Sequence, residues 1–157
     1  KQEFQAQAVA PYVDGVLTFE ELHALIEACD IDITTLPEEV LDNASYYGRI
    51  FARSGGLAEA VARALHEQQI DFALAPVVCN GIEECRTALL RASNGGAGGN
   101  FIEGMACQSG CIGGAGCLTH GPKDKNEVDE YGRLALEKDI SGAAAVASEL
   151  GTITKPV

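Results

Sequence analysis

The stretch from Phe101 to Lys123, FIEGMACQSGCIGGAGCLTHGPK, constrains this chain more than any other. Cys107, Cys111 and Cys117 are spaced Cys-x3-Cys-x5-Cys, and His120 follows as Cys-x2-His. Thiolates are soft ligands that suit iron–sulfur clusters, zinc and copper(I). Glycine between them lets the backbone turn tightly and approach a bulky inorganic group. Cysteines set in glycine read as the wall of a metal or cluster site. The alternative is a glycine-rich loop with incidental thiols, and the close spacing of the three cysteines weighs against it.

The flanking segments alternate between strand and helix patterns. Residues 71–79, DFALAPVVC, form a continuous apolar run bounded by Asn80-Gly81, which suits a strand buried on both faces of a parallel sheet. Pro76 counts against a central strand along its whole length. Asn80-Gly-Ile-Glu83 has the form of an N-cap with a glutamate three residues on. The helix it opens stops at Asn94-Gly-Gly-Ala-Gly-Gly99, a flexible loop. Residues 100–106, NFIEGMA, are a short strand leading into the cysteine loop. Cys79 and the loop at Cys107 thus lie at carboxyl ends of strands, where open α/β sheets place functional groups. Packing is the expected role of Cys79 and Cys85.

Upstream, Thr18-Phe-Glu-Glu21 has the form of a capping box. Leu22, Leu25, Ile26 and Cys29 recur at helical spacing, which predicts core packing for Cys29. Residues 12–17, YVDGVL, are a strand candidate weakened by Gly15, and Lys1–Ala10 reads as the tail of a helix ended by Pro11. A loop with one helical turn in Pro37–Asp42 is expected over residues 30–47. Ser54-Gly55-Gly56 precedes a helix with Leu57, Val61 and Leu65 on one face. Such a turn can present backbone N–H groups to an anion, the plainer reading being an ordinary N-cap. Residues 126–150 read as mostly helical, with Gly142 as the point of interruption. This order predicts an α/β fold, a mostly parallel sheet flanked by helices.

Acidic residues outnumber basic ones 23 to 11, a net charge of -12, which argues against a nucleic-acid partner. No apolar run reaches the length of a membrane span and no secretory signal is evident, so a cytoplasmic protein with no membrane partner is expected. Six cysteines in 157 residues are too sparse for a small disulfide scaffold and read as thiols available for ligation or packing. The chain opens on Lys1, which suggests a fragment or a processed product.

Glu103-Gly-Met-Ala-Cys-Gln-Ser-Gly-Cys-Ile-Gly-Gly-Ala-Gly116 resembles the third signature of iron-only hydrogenases, approximately Glu-x-Met-Ala-Cys-Pro-Gly-Gly-Cys-x-x-Gly-Gly-Gly. It departs at Gln108 for proline, Ser109 for glycine and Ala115 for glycine, and Cys117-Leu118 replaces the usual Gln-Pro, which points to a divergent branch. Lys1-Gln-Glu3 resembles the end of the second signature, Cys-x-x-Lys-x-x-Glu. Val16–Leu22 is similar to the Val-Leu-Thr-Thr-Arg-Glu-Leu segment, and Arg53–Ala60 to Ala-Thr-Gly-Gly-Val-Met-Glu-Ala. The ordered matches imply that residues 1–157 are the C-terminal part of a hydrogenase catalytic domain, one lobe of a two-lobed fold, with the N-terminal half missing.

The resemblance implies a 4Fe-4S cluster joined through a cysteine sulfur to a di-iron subcluster in the intact protein. Cys107 and Cys111 would be the metal ligands, with Cys111 bridging to the di-iron unit, Met105 beside that unit and Glu3 in the signature's glutamate position. Gly113 and Gly114 would line the cofactor. The other two cluster cysteines would precede Lys1, so the chain is expected to be inactive alone and to carry no complete cofactor. The implied partners are the missing N-terminal half and a ferredoxin or accessory iron–sulfur clusters. Two alternatives stand beside this one: a hydrogenase-like hydrogen sensor or iron–sulfur assembly protein without fast turnover, and a zinc module built from Cys107, Cys111, Cys117 and His120.

Overall fold

The computed structural model describes residues 10–39 and 44–149. The chain divides into two compact units, Lys1–Glu39 with Ala115–Leu118, and Val40–Gly114 with Thr119–Val157. The helix expected over Lys1–Ala10 and the residues Val40–Asp42 of the expected turn lie almost wholly outside the described residues.

In the first unit one helix, α1 (Phe19–Ala28), starts where the capping box predicts. The Glu21 amide donates to Thr18 Oγ1 at 3.3 Å, and the Thr18 amide donates to Glu21 Oε2 at 2.8 Å. Phe19 also donates to the Gly116 carbonyl at 3.1 Å, which fastens the Ala115–Leu118 segment to the start of the helix. Residues 12–17 form no strand, contrary to expectation. A strand needs a neighbour to take up its backbone groups, and the only paired strands among the described residues are those of the second unit, while Tyr12 is 85% exposed. Cys29 is exposed and α1 buries no residue, so the helical period of the stripe is correct and its predicted burial is not.

The second unit carries the sheet and the remaining helices: α2 (Tyr46–Arg49), α3 (Gly56–Glu67), α4 (Ile82–Ser93), α5 (Asp124–Arg133) and α6 (Ile140–Glu149). Strands β1 (Pro76–Asn80) and β2 (Phe101–Met105) pair in parallel, in register from Pro76 opposite Phe101 to Asn80 opposite Met105. The α4 crossover between them packs on both strands, giving the expected α/β arrangement of a small parallel sheet flanked by helices. β1 begins at Pro76 rather than Asp71, since a proline costs no ladder bond at the first position. Before it, the Asn100 side chain takes the place of a ladder: it accepts from the Ala75 amide and donates to the Ala73 carbonyl, both at 2.8 Å. β1 is not buried on both faces, for Val78 is 37% exposed while Cys79 next to it is buried.

The helix predicted over residues 126–150 is two helices, broken after Arg133 rather than at Gly142. Lys138 Nζ donates to the carbonyls of Arg133 and Ala135 at the end of α5. Glu67, at the last turn of α3, accepts from the Ile140 and Ser141 amides at 3.0 Å each and so caps α6. The Ser141 and Ile140 amides pull the Glu67 carboxyl down from its ordinary 4.5 to about 2, with Arg63 adding to the effect. A depressed carboxylate stabilises the fold fully above its unfolded value and loses that contribution as pH falls through its folded value. Protection of the Ile140 and Ser141 amides against hydrogen exchange is therefore expected to fade between pH 4.5 and about 2. Glu67→Ala is expected to lack it already at neutral pH.

Candidate functional site

β2 delivers the cysteine loop. Its last residue, Met105, accepts at its carbonyl from the Gly81 amide at 2.8 Å and from the Cys85 thiol at 3.5 Å. Cys107 and Cys111 follow, both exposed. Between them the chain reverses through Ser109 (φ 65°) and Gly110 (φ 89°), closed by a bond from the Gly110 amide to the Cys107 carbonyl at 3.2 Å. A single 3₁₀ turn, Cys111–Gly113, then folds the loop back on itself. A Cβ on Gly113 would sit 1.8 Å from the Gln108 carbonyl oxygen, so no side chain fits there. A Cβ on Gly114 would lie 3.0 Å from the Cys111 oxygen and 3.6 Å from Cys107 Sγ. These glycines keep the backbone close beside the sulfur, the role expected of a cluster-lining loop.

The loop is fastened from three sides by groups other than its sulfurs. Asn80, at the end of β1, accepts at Oδ1 from the Ser54 hydroxyl at 2.5 Å and from the Ser109 amide at 3.1 Å. This replaces its expected N-cap role, since α4 is capped by Gly81 with no side-chain bond. Gln108 Nε2 donates to the Asn80 carbonyl at 3.3 Å, a bond that proline cannot make. The Ser54 amide donates to the Ser109 carbonyl at 3.0 Å, and Arg53 forms an antiparallel bridge with Gly110.

Arg53 is buried, with its Nε 2.5 Å from Asp129 and its Nη2 3.0 Å from Glu59. Burial works against its charge, but the Glu59 and Asp129 carboxylates outweigh it and hold the guanidinium above its ordinary pKa. The residue whose backbone meets the loop is thereby locked to α3 and α5.

The third fastening is Glu103 in β2, which is 1% exposed. Its Oε1 accepts from the Gly55 amide and its Oε2 from the Ala58 amide, each at 2.7 Å. The Ser54-Gly55-Gly56 turn does present its N–H groups to an anion, and that anion is the chain's own carboxylate. A helix N-terminus carries orphan donors and positive potential, which offset the desolvation of a buried carboxylate.

Cys107, Cys111, Gly113, Gly114 and Met105 thus fall in one continuous segment of the second unit. Glu3 lies outside the described residues. Cys117, partly exposed, belongs to the first unit. His120 places Nε2 2.8 Å from the Gly114 carbonyl and so holds the end of the loop. Among the described residues no three His, Cys, Asp or Glu side chains gather closely enough to hold a metal ion. Cys107, Cys111 and His120 are accordingly not grouped about one point. Sequence reasoning gave Asn80 only the role of a helix cap and gave Arg53 and Glu103 none beyond their places in the matched segments. The readable signal for Glu103 was a lone acid in an apolar strand, which demands a partner once buried.

Two outcomes test this description. Glu103→Ala leaves the Gly55 and Ala58 amides without an acceptor, and is expected to destabilise the fold by about 3 kcal/mol, read from the urea midpoint. Ser109→Gly relieves a left-handed residue and is expected to stabilise it by up to about 1 kcal/mol in the same measurement, the gain being reduced by the flexibility of glycine.

Comparisons with known proteins show the family. Residues 1–115 match the family described as iron only hydrogenase large subunit, C-terminal domain. The NADP-reducing hydrogenase subunit HndD of Solidesulfovibrio fructosivorans is 31% identical over 140 residues, covering 70% of this chain and 24% of that protein. Iron hydrogenase 1 of Clostridium pasteurianum is 28% identical over 147 residues, covering 74% of this chain and 26% of that protein. The chain spans about a quarter of the length of these relatives. With the family matched over most of its length, and with the signature loop folded at the end of a parallel strand, the chain belongs to the family formed by the C-terminal domain of iron-only hydrogenase large subunits.

Proposed function

We propose that this chain supplies part of the active-centre wall of an iron-only hydrogenase, an enzyme that interconverts protons, electrons and dihydrogen. The observation that carries the reading is the cysteine loop itself. Cys107 and Cys111 are exposed on a backbone that glycine keeps side-chain-free and that Asn80, Arg53 and Ser54 hold in place. Their chemistry fits half of a four-thiolate set. Cys107 and Cys111 would hold a 4Fe-4S cluster, with Cys111 also reaching the di-iron subcluster and Met105 packed beside it. The bound group would supply the redox chemistry with dihydrogen. This chain's part is to present two thiolates at a fixed spacing, and backbone N–H groups of the glycine loop are suited to bond the sulfurs and tune the potential.

The remaining ligands would come from the N-terminal half of the domain, and Glu3 would lie near that junction. Electrons would arrive from a ferredoxin or from accessory iron–sulfur clusters. A cytoplasmic location accords with the absence, among the described residues, of any helix long and apolar enough to cross a membrane. The chain alone would be inactive.

Infrared spectroscopy of the intact protein, reconstituted with iron and sulfide and matured with the di-iron unit, is expected to show bands from bound CO and cyanide. Cys111→Ser is expected to remove them, and Cys107→Ser to lower cluster iron. The 157-residue chain by itself is expected to evolve no hydrogen. Robust turnover by the isolated chain would sink the reading. The infrared bands with only slow turnover in the intact protein would favour a hydrogen sensor, and stoichiometric zinc without iron a zinc module.

A further inference from the structure

Cys79 and Cys85 meet on one face of the sheet, and the candidate cluster site does not use them. Cys79 is the fourth residue of β1 and stands directly beside Gly104 of β2 in the parallel register. Side chains at paired positions project to the same face, about 4.8 Å apart across the strands. Gly104 has no side chain, and the space is taken by Cys85 from the first turn of α4: a Cβ built on Gly104 would lie 3.2 Å from Cys85 Sγ. The Cys85 sulfur therefore sits beside the place where Cys79 projects. Cys85 in turn donates to the Met105 carbonyl at 3.5 Å. No disulfide joins them.

The pair is asymmetric and reachable. Cys79 is 3% exposed, whereas Cys85 is partly exposed. An open groove of about 390 Å³ has Cys79, Glu84, Thr87 and Arg91 in its wall, so a small reagent can come up to the Cys79 side of the pair, while Cys85 outside that wall is itself partly exposed. Burial, then the neighbouring Cys85 and Glu84, push the Cys79 thiol above its ordinary pKa. Cys85 is thus the better placed to attack first, with Cys79 waiting to resolve.

We propose that Cys79 and Cys85 form a redox-active dithiol that closes to an intramolecular disulfide by exchange with a small disulfide. The Cys85 thiolate attacks one sulfur of the reagent, forming a mixed disulfide and expelling the first small thiolate. Cys79, losing its proton to solvent, then attacks the Cys85 sulfur. The Cys79–Cys85 bond forms, the mixed bond breaks, and a second small thiolate leaves. The pair gives up two electrons and two protons in all, and one molecule of reagent is reduced to two thiols. The inference stands on the packing of β1, β2 and α4, and does not depend on Cys107 or Cys111 holding a cluster.

The test is an anaerobic titration of the full chain with hydroxyethyl disulfide and mercaptoethanol, followed by alkylation, trypsin and mass spectrometry. No lysine or arginine lies between Arg63 and Arg86, so both cysteines fall in one peptide, residues 64–86. The expected result is that this peptide becomes two hydrogens lighter and unalkylated as the buffer grows more oxidising. The exchange equilibrium constant is expected to be at least about tenfold larger than in concentrated urea. In Cys79→Ser the same peptide is expected to stop at a mercaptoethanol adduct on Cys85. Two alkylations on residues 64–86 at every buffer ratio, or an equilibrium constant unchanged by urea, would overturn the proposal.

Discussion

A buried carboxylate capping the start of a helix is the interaction on which the second unit depends. Among the described residues Glu103 and Ile50 are the largest fully buried side chains, and the other buried apolar residues are four alanines and Cys79. A core of small residues contributes little apolar area per position, so a single mispaired polar group weighs heavily against it. Glu103 avoids that penalty by filling two orphan N–H positions of α3, which are themselves costly when left unpaired. Each group supplies what the other lacks. The bond also ties β2 to α3 across 45 residues of chain, and β2 is the strand that carries the cysteine loop.

The same device closes the far end of α3. Glu67 accepts from the first amides of α6, as Glu103 accepts from the first amides of α3. In both cases a glutamate from a distant element substitutes for the Ser, Thr or Asp that usually caps a helix from the preceding residue. Local capping, as at Thr18, fixes where a helix begins. Capping from a distance also fixes what the helix packs against.

That distinction explains what could be read from the residues. The order β1–α4–β2, the Thr18 capping box and the cysteine loop follow from local spacing and are all found, with β1 starting later than its apolar run suggests. The Ser54-Gly55-Gly56 turn was legible as an anion acceptor, but which anion it takes depends on a strand 48 residues further on. Asn80 has the local form of a cap and serves instead as an acceptor for Ser54 and Ser109, a choice made by tertiary neighbours. The break between α5 and α6 depends on Lys138 and Glu67 rather than on Gly142. The apolar stripe of α1 announces a period, while Leu25 remains 51% exposed, because periodicity does not say what covers a face. For the candidate site, the thiols and glycines were visible from their spacing, while the residues that hold the loop are scattered along the chain and carry no common motif.

Several fastenings of the cysteine loop pass through its backbone. Asn80, Ser54 and Arg53 reach its backbone, and Gly113 shapes it by having no side chain. These contacts shape the loop without calling on a bound group. A cluster bound as proposed would meet thiols whose spacing the backbone helps to set, and would spend little of its binding free energy on ordering the chain, unlike small metal-dependent domains that are unfolded without their ion. The loop would then behave as a mould rather than as a clasp.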